Sequence, residues 1–64
     1  MKHCAIVAIA GLDGRTRLVV RSGRRGSGRV LVDVRFESAV SPALARSVAH
    51  ALLAGLGYVC WISE

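Results

Sequence analysis

The hydrophobic pattern changes its period once along the chain, and the part before this change is rich in predicted strands. Residues 3–10 are apolar on both faces, which is typical of a central strand. Residues 15–21 and 29–36 alternate apolar and polar positions, as half-buried strands do. Asp13-Gly14 and the Gly/Ser segment 22–28 separate these runs and predict turns. The first half of the chain therefore predicts a three-stranded antiparallel meander.

A helical pattern follows the meander. Ser41 is a favourable N-cap, and Pro42 suits the first helical position. Residues 42–54 are rich in Ala and Leu, which are strong helix formers, and Gly55 or Gly57 ends the helix. Helical spacing predicts one apolar stripe that packs inward on the sheet. Its members are Leu44, Val48, Ala51, Leu52 and Gly55.

The complete element order is β-β-β-α-β, which predicts the α+β fold class. Residues 58–63 are β-branched and aromatic and form the closing strand. The first strand is expected inside the sheet because it is apolar on both faces, with the closing strand parallel beside it. The resulting four-stranded sheet is mostly antiparallel, has the order 4-1-2-3, and is covered on one face by the helix. Residues 1–64 are short enough to be a single domain.

Such a chain has more apolar surface than one helix can cover. Of its residues 53% are apolar, and a domain of this length buries only about 60% of its unfolded surface. Three arrangements would cover the remainder: two sheets back to back, two helices packed together, or a separate partner protein. We expect a homodimer.

The net charge of +5 is unevenly distributed. Six arginines fall within residues 15–29, whereas residues 30–64 carry two arginines against three acidic residues. The guanidinium fork binds phosphate or carboxylate in bidentate fashion, so a cluster of arginines predicts an anionic partner. The predicted binding residues are Arg15, Arg17, Arg21, Arg24, Arg25, Arg29 and Arg35.

Three interpretations of these arginines remain open. The first is a small nucleic-acid-binding module that contacts the phosphate backbone of DNA or RNA through an Arg-rich hairpin. The second is a protein-interaction module for an acidic partner, such as an inhibitor or antitoxin-like protein of a phage or mobile element. The third is a solvated face with no specific partner, which only keeps the chain in solution. Asp33, on the same face, weakens a phosphate role there.

Motifs for catalysis and cofactors are weak, so we expect no enzyme, cofactor or metal. The glycine-rich segment 23–28 lacks the lysine of a phosphate loop and precedes a strand. Ser47 and His50 are neighbours on the helix, but no acid or oxyanion hole accompanies them. Potential metal ligands lack the spacing of a zinc site. They are His3, Cys4, His50 and Cys60.

The apolar segments predict neither export nor a membrane span. Residues 4–10 are at the lower limit for a signal-peptide core, and the uncharged run 47–62 is shorter than the about 20 residues of a membrane helix. We therefore expect a cytoplasmic protein whose cysteines are reduced, although Cys4 and Cys60 can lie on neighbouring strands. Tyr58 and Trp61 are predicted on opposite faces of the last strand, where an exposed one could stack on a base.

Overall fold

A computed structural model describes residues 2–62. Three strands come first: β1 (Lys2–Ala10), β2 (Thr16–Ser22) and β3 (Val30–Arg35). The helix α1 (Pro42–Gly55) and the strand β4 (Tyr58–Ile62) follow. This order confirms the predicted α+β fold.

The four strands form one mixed sheet. The order is β3-β2-β1-β4, which is the expected 4-1-2-3 order seen from the other edge. β1 and β3 pair antiparallel to β2, whereas β4 pairs parallel to β1. The apolar strand is therefore central, as its pattern predicts. Ser63, predicted as the end of the closing strand, lies outside the described residues.

The register of the meander contains one irregularity that the alternating pattern does not indicate. The pairing of β2 with β3 shifts between Val20 and Arg21. As a result, Leu31 packs against the core beside Val32, although alternation predicts it on the opposite face with Asp33. A β-bulge has this effect because it inserts one extra residue into a strand. The side chains beyond the bulge then point to the opposite face of the sheet from the one that strict alternation predicts.

The core lies between α1 and the central strands. Ile6 and Val20 are fully buried, and Ala45, Ala49 and Leu53 of the helix pack against them. The predicted inward stripe is therefore wrong by one position. Its members Leu44, Val48, Ala51, Leu52 and Gly55 are exposed. Alanine at two of the three contact positions lets the helix approach the sheet closely, so the bulk of the core comes from the strands.

Both ends of α1 have the caps that the sequence predicts. The Ser41 side chain accepts a hydrogen bond from the Leu44 backbone N–H at 3.1 Å, and Pro42 occupies the first turn. Leu56 caps the other end, and Gly57 follows it with φ of +91°, a left-handed conformation that favours glycine. These caps fix where the chain turns back toward β4.

A buried hydroxyl joins β2 to the segment before the helix. Thr16 is 1% exposed, and its Oγ1 donates to the Val40 carbonyl oxygen at 2.6 Å. The Thr16 carbonyl accepts from the Phe36 N–H at 2.8 Å, which ties down the same segment. This polar contact therefore determines how the chain crosses from the meander to α1.

Replacing Thr16 with valine keeps the shape of the side chain and leaves the Val40 carbonyl without its donor. We expect the free energy of unfolding to fall by about 1–2 kcal/mol, the cost of an unsatisfied buried acceptor. Urea denaturation followed by Trp61 fluorescence measures the change. Thr16→Ser retains the hydroxyl and is the control. Equal losses in the two variants would mean that the hydrogen bond is not the cause.

Candidate functional site

The sheet face opposite α1, here called the open face, carries three of the predicted arginines. Arg17 and Arg21 lie on β2, and Arg35 lies on β3 directly across from Arg17. β1 and β4 contribute the apolar half of this face, including Ile9 at 57% exposure and Trp61 at 42%. The open face is therefore basic on one side and apolar on the other.

The β2–β3 connection, residues 23–28 and here called the arginine loop, folds back over the open face. Gly26 has φ of +67°, and a Cβ built on it would lie 3.2 Å from the Ala5 Cβ and 3.8 Å from the Arg21 Cβ. Ala5 is only 5% exposed although no helix covers this side of the sheet. The glycine thus allows a close approach that brings Arg24 and Arg25 onto the face.

Arg24 is held against the single tryptophan. Its guanidinium carbon lies 5.1 Å from the centroid of the Trp61 ring, which is within cation–π range. The Trp61 indole N–H donates to His3 Nδ1 at 3.1 Å. His3 Nδ1 is therefore the acceptor in a contact that joins β4 to β1 across the open face. Trp61 is accordingly engaged on its face and at its edge.

A shallow cavity of about 300 Å³ separates the two halves of the open face. Val7 and Val19 pair across β1 and β2 and form its floor. Arg21 and Arg25 stand at its rim. An anionic group bound by these arginines would lie beside an aliphatic surface.

The carboxylate of Asp33 interrupts the positive charge of this face. Arg17 donates two hydrogen bonds to Asp33, from Nε at 3.0 Å and from Nη2 at 2.8 Å. This bidentate bond, with the positive charges of Arg17, Arg35 and Arg21, outweighs a smaller desolvation effect and holds the pKa of Asp33 below its usual value. Asp33 therefore stays ionised at neutral pH and occupies Arg17.

The seven predicted arginines do not form one cluster. Arg15 lies at one end of the sheet, 3.7 Å from a carboxylate oxygen of Glu37. Arg29 lies at the opposite end, where it lines a separate cavity with Lys2 and Tyr58. The remaining arginines without a salt bridge within residues 2–62 lie on the open face or its loop. They are Arg21, Arg24, Arg25 and Arg35.

The arginines of the open face fall into two groups. Arg21, Arg24 and Arg25 belong to one end of β2, and Arg17 and Arg35 to the other. Arg17 and Arg21 are four residues apart on the same strand, which separates their Cα atoms by about 13 Å. The row between the two groups holds Val7, Val19 and Asp33. The face thus presents positive charge on both sides of a narrow central strip.

The two cysteines form a thiol pair on the helix side of the sheet. Cys4 and Cys60 are direct partners on β1 and β4, with their sulfur atoms 3.7 Å apart. Burial raises the pKa of Cys4 to about 11, and its hydrogen bond with Cys60 adds to this effect. Cys4 is therefore a neutral thiol at physiological pH and a poor nucleophile.

Other candidate chemistry is not assembled in residues 2–62. This part of the chain contains no group of three or more residues placed to hold a metal ion. Ser47 and His50 line a groove with Arg46 and Ile62, but no hydrogen bond joins the serine to the histidine within the described chain. Between Lys2 and Ile62, no helix is long and apolar enough to span a membrane.

The sequence indicates the arginines but not the contacts that arrange them. Trp61 and Tyr58 do lie on opposite faces of β4, and Trp61 is the exposed one. Its contacts with Arg24 and His3 depend on how the arginine loop folds, which no local pattern indicates. Comparison of the chain with protein-family models, with curated proteins and with solved structures gives no match.

Proposed function

We propose that this protein is a small nucleic-acid-binding module that contacts the phosphate backbone through its open face and arginine loop. The observation that carries the proposal is the division of the face into two arginine groups about 13 Å apart. The major groove of B-form DNA is about 12 Å wide, so phosphates on its two sides match this separation. Arginine suits such contacts because its fork binds phosphate oxygens in bidentate fashion.

The arginines have unequal roles in this proposal. Arg21, Arg24, Arg25 and Arg35 make the main phosphate contacts because no carboxylate within residues 2–62 occupies them. Arg17 contributes less because Asp33 binds it. Arg15 and Arg29 lie at the two ends of the sheet and reach only phosphates at the margin of the site.

The direct test is fluorescence anisotropy with labelled duplex DNA, duplex RNA and single strands of equal length. Four neutralised phosphates predict a slope of about −3.6 in a plot of log affinity against log salt for duplex DNA. The affinity should then fall on the order of 100-fold between about 50 and 200 mM salt. We expect the tightest binding to duplex DNA, because of the groove width. No binding to any probe at low salt, or binding insensitive to salt, would refute the proposal.

Asp33→Asn should strengthen nucleic-acid binding. The substitution removes the carboxylate that binds Arg17 and releases Arg17 for a further phosphate contact. A single added charge-assisted contact predicts about a tenfold gain in affinity and a salt slope steeper by about 0.9. The control is Glu37→Gln, which removes the same charge at the end of the sheet. Equal gains in both variants would indicate a general charge effect and no local role for Asp33.

A second function is favoured by the apolar part of the open face. Val7 and Val19 are half-buried, Ile9 is exposed, and arginines stand on both sides of them. Arginine and tryptophan are enriched in protein-binding hot spots, and Arg24 lies against the exposed Trp61 on this face. The proposal under this interpretation is an interaction module for an acidic protein.

A pull-down experiment separates the two functions. Pull-down from source cells, with and without nuclease, compares the retained partners. Loss of all partners after nuclease treatment supports nucleic-acid binding. A stoichiometric acidic protein that survives nuclease, and that Ile9→Glu releases, supports the interaction module.

A further inference from the structure

The helix side of the sheet is incompletely covered. α1 packs on β1, β2 and β4, and none of its Cα atoms lies within 8 Å of a Cα atom of β3. Val34 of β3 is consequently 40% exposed. Four strands about 4.8 Å apart span about 14 Å between the outermost strands, whereas a helix is only about 10 Å wide. A second helix is needed to cover such a sheet, and the described chain contains one.

One flank of α1 is apolar and exposed as well. Leu44, Val48 and Leu52 recur at four-residue spacing and are 51%, 48% and 66% exposed. The opposite flank carries Arg46 and His50 and lies beside Ile62 of β4, at the other edge of the sheet. The apolar flank therefore faces β3.

This flank and the uncovered strand lie on the same side of the sheet, and the surface that they form is here called the apolar notch. Its members are Val32, Val34, Leu44, Val48 and Leu52, and none of them is charged. The exposed surface of the protein is 4444 Å², against about 4,000 Å² expected for a monomer of 6.8 kDa. The chain alone thus leaves more surface exposed than a monomer of its mass does.

We propose that the apolar notch holds helix α1 of a second copy of this chain, and that each copy fills the notch of the other. A twofold dimer requires one surface to be complementary to itself. The notch meets this requirement because it contains both the uncovered strand and the helix flank that can cover it. The product is a three-layer arrangement in which two helices lie side by side between two sheets.

The spacing of the helix flank suits this symmetry. Leu44 and Leu52 lie at equal distances on either side of Val48. Two antiparallel helices related by a twofold axis near Val48 would therefore place Leu44 of one copy against Leu52 of the other. The stripe from Leu44 to Leu52 extends about 12 Å along the helix and β3 about 17 Å, so the two can lie against each other over most of their lengths.

Charge favours the notch over the open face as the dimer surface. Two open faces in contact would bring the arginines of both copies close together. The carboxylates of these faces are too few to neutralise that positive charge, so the two faces would repel each other. Dimerisation through the notch instead leaves the open faces outside, separated by two sheets and a helix layer, about 20 Å in all. This exceeds the Debye length of about 8 Å at physiological salt, so the positive faces scarcely repel each other.

Sedimentation equilibrium of the purified chain, without nucleic acid, tests the proposal. We expect twice the chain mass of 6.8 kDa at low micromolar concentration. Leu52→Glu should give the mass of one chain and retain its circular dichroism, because the side chain is already two-thirds exposed. Val34→Glu places the charge on the other wall of the notch, and it gives the same test if Leu52→Glu does not fold.

The matched control is Ile9→Glu, at an apolar residue of the open face whose 57% exposure lies between those of Val34 and Leu52. It should leave the dimer intact. The proposal is overturned if the wild-type chain has the mass of one chain up to high micromolar concentration. It is also overturned if Ile9→Glu dissociates the dimer while folded Leu52→Glu and Val34→Glu do not, since the open face would then be the interface.

Salt distinguishes this proposal from the nucleic-acid function. An apolar interface should persist at about 0.5 M salt, where phosphate contacts are lost. A stable dimer that binds no nucleic acid would leave the notch proposal intact and refute the function. A monomer that binds nucleic acid with the expected salt slope would refute the notch proposal and support the nucleic-acid function.

Discussion

Replacing Arg21 and Arg25 together with glutamine should weaken the binding of a short DNA duplex by about 100-fold at low salt. Both side chains stand at the rim of the cavity over Val7 and Val19, and neither has a carboxylate partner within residues 2–62. Each charge-assisted hydrogen bond to phosphate contributes about 1.5 kcal/mol, or tenfold in affinity. Fluorescence anisotropy measures the loss, and the salt slope should become shallower by about 1.8.

Arg46→Gln is the matched control for this double variant. It removes a positive charge from the helix side of the sheet, where Arg46 donates to the Ala8 carbonyl at 3.4 Å. The proposed site predicts little change in affinity, because this residue is remote from the open face. A loss per charge equal to that of Arg21 and Arg25 would mean that only the net charge matters, and the open face would then not be the site.

Ile6→Ala should leave most of the protein unfolded at 25 °C. Ile6 is 0% exposed and lies on the central strand, with neighbours on both sides and α1 above it. Removing a buried isoleucine side chain to alanine costs about 2–5 kcal/mol, since a cavity is left behind. A core in a domain of this length supplies about 3–5 kcal/mol, so the variant loses nearly all of its stability.

Urea titration followed by Trp61 fluorescence measures this effect, with all variants at one protein concentration because association adds to stability. Ile9→Ala is the control, since it makes the same change in the same strand at a position 57% exposed. It should cost less than about 1 kcal/mol. Equal losses at the two positions would contradict the assignment of the core to the helix side of β1.

Much of the fold follows from the sequence because its elements have different periods. The apolar β1 predicts a central strand, and Ser41-Pro42 predicts the start of α1. The inward face of the helix does not follow, because hydrophobicity favours Leu44 and Leu52 over Ala45 and the structure buries the alanine. The helix packs so closely on the sheet that the smaller alanine side chain fits at the contact. How close the helix can lie depends on the side chains of the opposing sheet, which the helix sequence alone does not show. The exposed stripe, in turn, is the basis of the apolar notch.

The candidate site was predictable in composition but not in arrangement. Clustering identified the arginines, and alternation placed Arg17, Arg21 and Arg35 on one face. The folding of the arginine loop rests on the contact of Gly26 with Ala5, residues 21 positions apart in sequence. The engagement of Arg17 by Asp33 likewise depends on strand register. Such contacts between distant residues carry no local signal.

The position of β1 between β2 and β4 also governs how the chain folds. β1 can pair with β2 through a short turn, but its pairing with β4 joins residues as far apart as Cys4 and Cys60, 56 positions along the chain. Closing so long a loop loses conformational entropy before any contact compensates for it, and topologies of this kind fold slowly. Until β4 docks, the meander exposes an unpaired edge of its most apolar strand, a template for association with other chains. Association with other chains slows on dilution, whereas the docking of β4 within one chain does not. Refolding at low protein concentration should therefore reduce aggregation through the exposed edge of β1.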